Sequence, residues 1–554
     1  MNTLIGRCVL LLVAGSLVAA PMLGQSKATG QVANVVQFQD VTSAVLGNVV
    51  VTDPGGPENG NWGWIAVGDW DGTGWPGLAL NTWPGTHLFS NRQGKFVEVP
   101  APRINGEFYA RIGIWCDTDG TGQENLLLGG VGEIFGTWLD HWYRVQKTGA
   151  MTEITPAAVA GANPPIQIRA MTCADIDRDG RMDVFEAADM LPPGYSSDPN
   201  VQTRLWMNKG KNVFTNEVAT RAPRVETGGN PYVIACADIS TPLLGFPSCI
   251  AAGNNFNEWH LSLGDGTLTL GTFGHSGHFL YLDAYLGDAV FADFDGVGRT
   301  GIAVGDTTIN DSTQVPIIVG CNDGNWSPSI GNEGGIVGCW KPPLPGNTPD
   351  WVHHSVGRIV VADFDNSGAP SILETFSGNA FQFYDPNRLW MNSGSTPGAP
   401  NFVEMAQSAG IANACPAYVD GQDISSAAAI DYDMDGRIDL IVTCSVRYAP
   451  GSYKVFRNVT PDNNAWVGFI LRSPRTLGTW VTVTACGHVQ RQQLTARTGW
   501  WHQDDRHVHF GLGLCESSVQ VTIAWPNGAT INSSVRPRHY YVANGSKGRL
   551  AVFK

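Results

Sequence analysis

The chain has 554 residues, too many for one ordinary core, so several domains or a repeat array are expected. Hydrophobic residues make up 43%, which excludes a disordered chain. A charged share of only 15%, beside 67 Gly and 19 Trp, favours β-structure with tight turns, and a net charge of −15 argues against nucleic acid and acidic membrane surfaces as partners.

In chain order, residues 1–28 read as a secretory signal: Arg7 gives the positive start, and Cys8 to Ala20 form an apolar stretch too short to span a bilayer. No later segment has the uninterrupted apolar length of a membrane helix. Export is therefore expected, to the extracellular space, or to the periplasm or cell surface if the source is bacterial. Phe38-Gln-Asp-Val-Thr42 resembles the outer phrase of a later repeat, Phe96-Val-Glu-Val99, yet no loop of the repeat type precedes it. It is expected to complete the last unit and close a ring, which removes open sheet edges.

Between residues 69 and 440 one phrase recurs: a small or apolar run, an Asp-rich loop, then an apolar strand. The loops are Asp69-Trp-Asp-Gly-Thr-Gly74, Asp117-Thr-Asp-Gly-Thr-Gly122, Asp175-Ile-Asp-Arg-Asp-Gly180, a degraded copy at Asp238-Ile-Ser240, Asp293-Phe-Asp-Gly-Val-Gly298, Asp363-Phe-Asp-Asn-Ser-Gly368 and Asp431-Tyr-Asp-Met-Asp-Gly436. They are numbered one to seven below. Carboxylates at alternate positions followed by Gly suit a hard cation, because alternate side chains converge while Gly permits the turn. The first aspartates stand 48 to 70 residues apart, room for four short strands per unit. A second phrase follows some loops, as in Arg204-Leu-Trp-Met-Asn208 and Arg388-Leu-Trp-Met-Asn392, with weaker copies ending at Asn91 and Asn458. Four-stranded units repeated about an axis make a β-propeller, and seven copies make seven blades.

The loops differ as ligand sets. Positions one, three, five and nine should offer side-chain oxygen, and position seven a backbone carbonyl. Loop three fills these with Asp175, Asp177, Asp179, Asp183 and the carbonyl of Arg181; loop seven does so with Asp431, Asp433, Asp435, Asp439 and the carbonyl of Arg437. Four such carboxylates without a cation would repel one another strongly. Loop two offers Asp117, Asp119, Thr121 and Asn125, and loop six Asp363, Asp365, Ser367 and Ser371. Loop one has Asp69, Asp71 and Thr73, and loop five has Asp293 and Asp295. For those last two, calcium competes evenly with a turn in which Asp bonds its own backbone; at Asp238 the turn is expected. Several structural calcium ions are therefore predicted. An EF-hand is the rival for loops three and six, because Glu186 and Glu374 stand at position twelve, but Pro164, Pro165 and alternating Ile166 and Ile168 argue for a strand before loop three.

Ten cysteines remain after the signal, with close pairs at Cys236/Cys249, Cys321/Cys339, Cys415/Cys444 and Cys486/Cys515, which suggests disulfides rather than zinc knuckles. Buried free thiols stay open, and the connectivity is not fixed. Trp62, Trp64, Trp70, Trp75 and Trp83 crowd the first unit; packing between blades is the plainer reading, sugar stacking the alternative. In the tail, His507 and His509 share a strand face that could chelate a transition metal, or serve structure. Neither a nucleophile elbow nor a phosphate-cradling loop occurs.

Stretches such as Ala174-Asp-Ile-Asp-Arg-Asp-Gly-Arg-Met-Asp183 resemble FG-GAP (VCBS) repeats, the repeat of integrin α propellers. Asn464-Ala-Trp-Val-Gly-Phe469, Gln503-Asp504, His509-Phe-Gly-Leu-Gly513 and Val521-Thr-Ile-Ala-Trp-Pro-Asn-Gly528 resemble the ASPIC/UnbV domain found behind such propellers in the cartilage acidic protein family. The resemblance implies an all-β chain: a seven-bladed propeller over 35–460 and a small β-rich domain over 461–554. It also implies a secreted calcium-binding protein with no established catalysis. The expected role is non-enzymatic binding or adhesion to an extracellular protein or glycan. The alternative is a secreted enzyme of lyase or dehydratase type, acting on carbohydrate or a small metabolite at the propeller mouth.

Overall fold

Seven antiparallel sheets follow one another along the chain of this computed structural model. It describes residues 35–51, 63–82, 85–100, 110–131, 139–190, 199–223, 230–254, 256–270, 286–306, 317–325, 335–342, 356–376, 386–394, 398–415, 423–446, 449–461, 463–472 and 475–553. The expected signal at 1–28, with Cys8, lies outside these residues, as do Trp62 and Trp83. Among the described residues no helix is long and apolar enough to cross a membrane.

Each sheet is one blade, and each Asp-rich loop joins its first two strands. Blade one is Ile65–Gly68, Gly77–Thr82, Gly85–Asn91 and Phe96–Val99; blade three is Gln167–Ala174, Asp183–Met190, Thr203–Asn208 and Phe214–Asn216. The other blades repeat this plan, and blade seven ends it with Asp423–Ile430, Asp439–Val446 and Ala449–Asn458. The first strands touch in a cycle, from Ile65–Gly68 through each blade to Asp423–Ile430 and back to Ile65–Gly68. This is the all-β, seven-bladed propeller expected from the repeat. Its ring closes with the N-terminal strand Phe38–Asp40, which pairs antiparallel with the outer strand of blade seven, Phe38 opposite Asn458. A strand rather than a helix enters every loop, which disposes of the EF-hand reading.

The second recurring phrase has a mechanical reason. Asn91, Asn208, Asn322, Asn392 and Asn458 each end the third strand of a blade, and each donates its amide to two carbonyls. One carbonyl is position eight of the blade's own loop; the other is position two of the preceding blade's loop. Asn91 reaches back to Tyr432 of blade seven at 2.8 Å, so the same staple closes the ring. Asn458 opens an Asn-Val-Thr sequence of the kind that accepts N-linked glycans, but it is fully buried in this role.

Apolar faces pack blade on blade. Trp64, Trp70 and Trp115 are fully buried between blades one and two, and their indole nitrogens donate to the carbonyls of Ala110, Phe89 and Ala66. Trp64 and Trp70 thus serve packing between blades, as the plainer reading has it, and Trp75 lies edge-on to Phe553 of the tail. All five close cysteine pairings are disulfides: the four read from sequence, and Cys116–Cys173, which ties blade two to blade three.

Behind the ring stand two further four-stranded sheets. One is Val508–Gly513, Ala465–Arg472, His539–Asn544 and Arg549–Val552 in spatial order. The other is His488–Gln493, Trp480–Ala485, Val519–Ala524 and Thr530–Val535. Val467, Phe469, Val481, Phe510, Val521 and Trp525 form their shared core. The short strands Thr498–Gly499 and His502–Gln503 leave this domain and join blade one, with His502 parallel to Ile65 on the innermost strand.

Candidate functional site

In each of the two best ligand sets three of the four expected carboxylates come together, while Asp183 of loop three and Asp435 of loop seven stand outside these groups. In loop three, carboxylate oxygens of Asp175, Asp177 and Asp179 lie within 4.8 Å of one another; in loop seven, those of Asp431, Asp433 and Asp439 do. Local hydrogen bonds set these angles. Gly180 N donates to Asp175 at 2.9 Å and Gly436 N to Asp431 at 2.8 Å, and both glycines sit in the left-handed region, at φ 84° in each case. The position-nine aspartates brace the blade instead of hanging free. Asp183 accepts from Ile176 N and Asn208 N, and Asp439 from Tyr432 N and Asn458 N. The arginines at position seven also lock outward, Arg181 on the carbonyl of Asn208 and Arg437 on that of Asn458, while pairing with Asp179 and Asp435.

After these bonds are counted, Oδ1 of Asp175, of Asp177 and of Asp433 remain buried with no hydrogen-bond partner. An unpartnered buried carboxylate oxygen is costly, so three of them within these two clusters fit a bound cation. The proton affinities say the same. Burial, then the neighbouring carboxylates, push Asp175 up to about 6, and hold Asp431 and Asp439 well above the usual range. A hard divalent ion would remove that repulsion, and the all-oxygen donor set suits calcium.

The remaining loops spend more of their oxygens on protein. In loop one, Asp69 accepts from Gly74 N and from Arg472 at 2.7 Å, and Asp71 from Thr73 and from Ser90 at 2.5 Å. Arg472 belongs to the tail, so a guanidinium supplies positive charge there. In loop two, Asp117 accepts from Thr121 N and Gly122 N, and Asp119 pairs with Arg144; Asn125 Oδ1 stays buried without a partner. Burial lifts Asp117 to about 6, whereas for Asp119 Arg144 and Thr121 outweigh burial and lower it. In loop six, Asp363 accepts from Ser367 N and Gly368 N, Asp365 from Ser367 N, and Ser371 from Asn392 N. In loop five, Asp293 accepts from Val297 N and Gly298 N and is raised to about 7 by burial and by Asp295. Asp238 forms the expected turn, holding Ser240 and Gly245 N.

Other residues acquire roles that spacing alone did not assign. Glu186 and Glu374, the position-twelve glutamates, accept from the indoles of Trp206 at 2.7 Å and Trp390 at 2.8 Å on the neighbouring strand. They are wholly buried. The signal was present: only the units with Glu at that position carry Trp in the second phrase. His507 and His509 do not come together with acids into a metal-type group among the described residues. His509 Nε2 instead lies 3.1 Å from the carbonyl of Gly436, and burial lowers the imidazole to about 4, so it stays neutral.

The largest surprise is the position of the tail. It sits on the face of the ring that bears the Asp-rich loops. Tyr540 donates to Asp431 at 2.7 Å, Asn464 to the carbonyl of Asp365, Gly513 N to that of Asn366, and Asp238 N to Gln493. Residues 498–505 run into the channel and meet the innermost strand of every blade. Ile65 N donates to the Trp501 carbonyl, Gln503 exchanges hydrogen bonds with the backbone of Trp115, and Thr498 bonds Thr172 and Ile234. Trp500 N donates to Asp288, Arg358 stacks 3.7 Å over the Trp500 ring, and Ser426 donates to the Trp501 carbonyl.

The ASPIC and UnbV family matches residues 472–544. No curated protein sequence matches the chain. Among solved structures, one similar fold is a lectin of Agrocybe aegerita, described as recognising non-reducing terminal N-acetylglucosamine, at 15% identity and a TM-score of 0.43 over 72% of this chain and 94% of that one. Another is the extracellular domain of a hybrid two-component system of B. thetaiotaomicron, at 9% identity and a TM-score of 0.39 over 93% of this chain and 57% of that one. A third is BBS1N in complex with ARL6DN, at 12% and 0.39 over 78% and 98%. The propeller is established by the seven sheets themselves, and the chain is a seven-bladed β-propeller carrying a C-terminal domain of the ASPIC and UnbV family.

Proposed function

We propose that this is an exported, calcium-stabilised binding protein that engages an extracellular protein or glycan without catalysis. The observation that carries it is the pair of carboxylate clusters in loops three and seven, with their unpartnered buried oxygens. Calcium there would be held by Asp175, Asp177 and Asp179, and by Asp431, Asp433 and Asp439, and binding free energy would become folding free energy. Loops two and six would be weaker sites, and loops one and five weaker still, since Gly77 in loop one and Val297 and Gly301 in loop five offer no side-chain oxygen at ligand positions. Five disulfides suit an oxidising compartment.

The binding reading is supported by the plug. Trp500 to Gln503 fill the axis where a propeller enzyme would gather its substrate, and the tail covers the loop face. The free end of the ring, away from the tail, is then the surface for a partner. A glycan and matrix-protein array, run in calcium and again after chelation, tests this. Calcium-dependent capture of a defined partner is expected; turnover of a carbohydrate by the purified chain, with no capture, would overturn it.

A further inference from the structure

Loops one and three share a plan, yet they treat their first aspartate differently. In loop three, Gly180 N donates to Asp175 Oδ2, and Asp175 Oδ1 is left buried without a donor. In loop one, Gly74 N donates to Asp69 Oδ1, and Asp69 Oδ2 accepts from Arg472 of the tail at 2.7 Å. The guanidinium thus sits on the oxygen that the turn leaves over, which is the one a cation would take. Asp71 is filled as well: its Oδ1 accepts from the Thr73 amide and hydroxyl, and its Oδ2 from the Ser90 hydroxyl. Position nine, Asp183 in loop three, is Gly77 in loop one. Every carboxylate oxygen of Asp69 and Asp71 therefore has a protein donor.

Arginines also touch loops three and seven, so an arginine nearby is not by itself decisive. Arg221 pairs with Asp177 and Arg457 with Asp433, but each binds Oδ2 and leaves a buried Oδ1 with no donor. Both of those arginines belong to the propeller. Arg472 belongs to the tail and ends the strand Ala465–Arg472, whose parallel pairing with His539–Asn544 fixes where the side chain starts. Phe553 of the tail lies against Gly74 and edge-on to Trp75, which puts apolar surface beside the ion pair.

Charge around the pair closes without a metal. The carboxylates lining the gap between this part of the ring and the tail are Asp69, Asp71, Asp117 and Glu124. The cations lining it are Lys147, Arg472, Arg475 and Arg506, equal in number. Lys147 Nζ and Arg472 Nη1 lie 3.5 and 3.8 Å from the place that a Cβ on Gly72 would take. A divalent ion entering loop one would meet like charge there. We propose that Arg472 serves as the cation of loop one, locking the tail onto blade one and keeping metal out of that loop. Calcium enters only by displacing the guanidinium, so this lock holds when calcium is withdrawn. The contrast with loops three and seven rests on their reading as calcium sites, whereas the lock itself needs no metal.

The test has one arm with calcium and one without. The full chain is equilibrated with millimolar calcium, and bound metal is counted by inductively coupled plasma mass spectrometry. Asp69→Asn is expected to keep the parent's number of ions, and Asp177→Ala to lose one. Loss of an ion from Asp69→Asn would overturn the proposal. A parent that holds no calcium would remove the calcium reading alone, and the second arm would still decide the role of Arg472. In chelator, Asp69→Asn and Arg472→Met should each lower the melting temperature by about 1–3 °C, and the double variant should melt no lower than the worse single. Arg472→Lys keeps the charge without the fork and should melt between Arg472→Met and the parent. Losses that add in the double variant would show that the two side chains act apart and would overturn the lock, as would a lysine variant no better than the methionine one.

Discussion

Asp177 and Asp433 carry the clearest single-residue expectation, because each has a buried Oδ1 that no protein donor satisfies. Replacing either by Ala should lower the melting temperature in calcium by several degrees and bring it closer to the melting of the chelated parent. Differential scanning calorimetry with and without chelator checks this; variants that melt like the parent in calcium would mean that no ion holds these loops. Glu374 gives a pH test. Burial raises its carboxyl to about 7, even with Arg388 and the Trp390 indole favouring ionisation. The folded state therefore keeps a proton that the unfolded chain loses near pH 4.5, so this group lowers stability as pH rises from there to about 7. Glu374→Gln mimics the protonated form. Its stability relative to the parent should be near zero below pH 4.5 and grow to on the order of 2–4 kcal/mol above pH 7. Urea melts across that range measure it, and a gap that is flat with pH would refute the assignment.

At the scale of the element, the unit of this fold is a loop, a strand and the asparagine that ends the next strand. Asn392 spans the carbonyls of Phe294 and Pro370, and Asn458 those of Phe364 and Ile438, so each removes two orphan acceptors at a blade junction. Asn392→Ala or Asn458→Ala should cost about 2–4 kcal/mol, since each buried carbonyl left unpaired costs roughly 1–3 kcal/mol and some relaxation follows. Chemical denaturation gives the value, and a loss below about 0.5 kcal/mol would show that water replaces the staple. Much of this was legible in advance. The Asp loops, the strands that follow them and the strand that closes blade seven stand out as local patterns, since each depends on residues close in sequence. The partner of each asparagine was not legible, because the carbonyl it seeks belongs to a loop some 80 to 340 residues away.

For the whole molecule, ring and tail share structure. A chain ended at residue 460 would lose Trp500 to Gln503 from the axis and strip Asp288 and Ser426 of the backbone groups they bond. Such a propeller should lose its single cooperative transition and bind a hydrophobic dye, whereas the full chain should melt as one unit. A truncated ring that melts cooperatively at the parent's temperature would show that the plug is dispensable.

The amino-acid order alone determined the number of blades and the place of the oxygen-rich loops, and it marked four of the five disulfides as close cysteine pairs without fixing their connectivity. These follow from short-range chemistry: alternation along a strand, the turn that Gly allows, and cysteines close in sequence. Only the tertiary structure decided that Arg472 occupies loop one, that Glu186 and Glu374 serve tryptophans instead of an ion, and that residues 498–505 fill the channel. Those outcomes depend on which surfaces meet when a ring closes, and no local pattern in the tail encodes the hole that it enters.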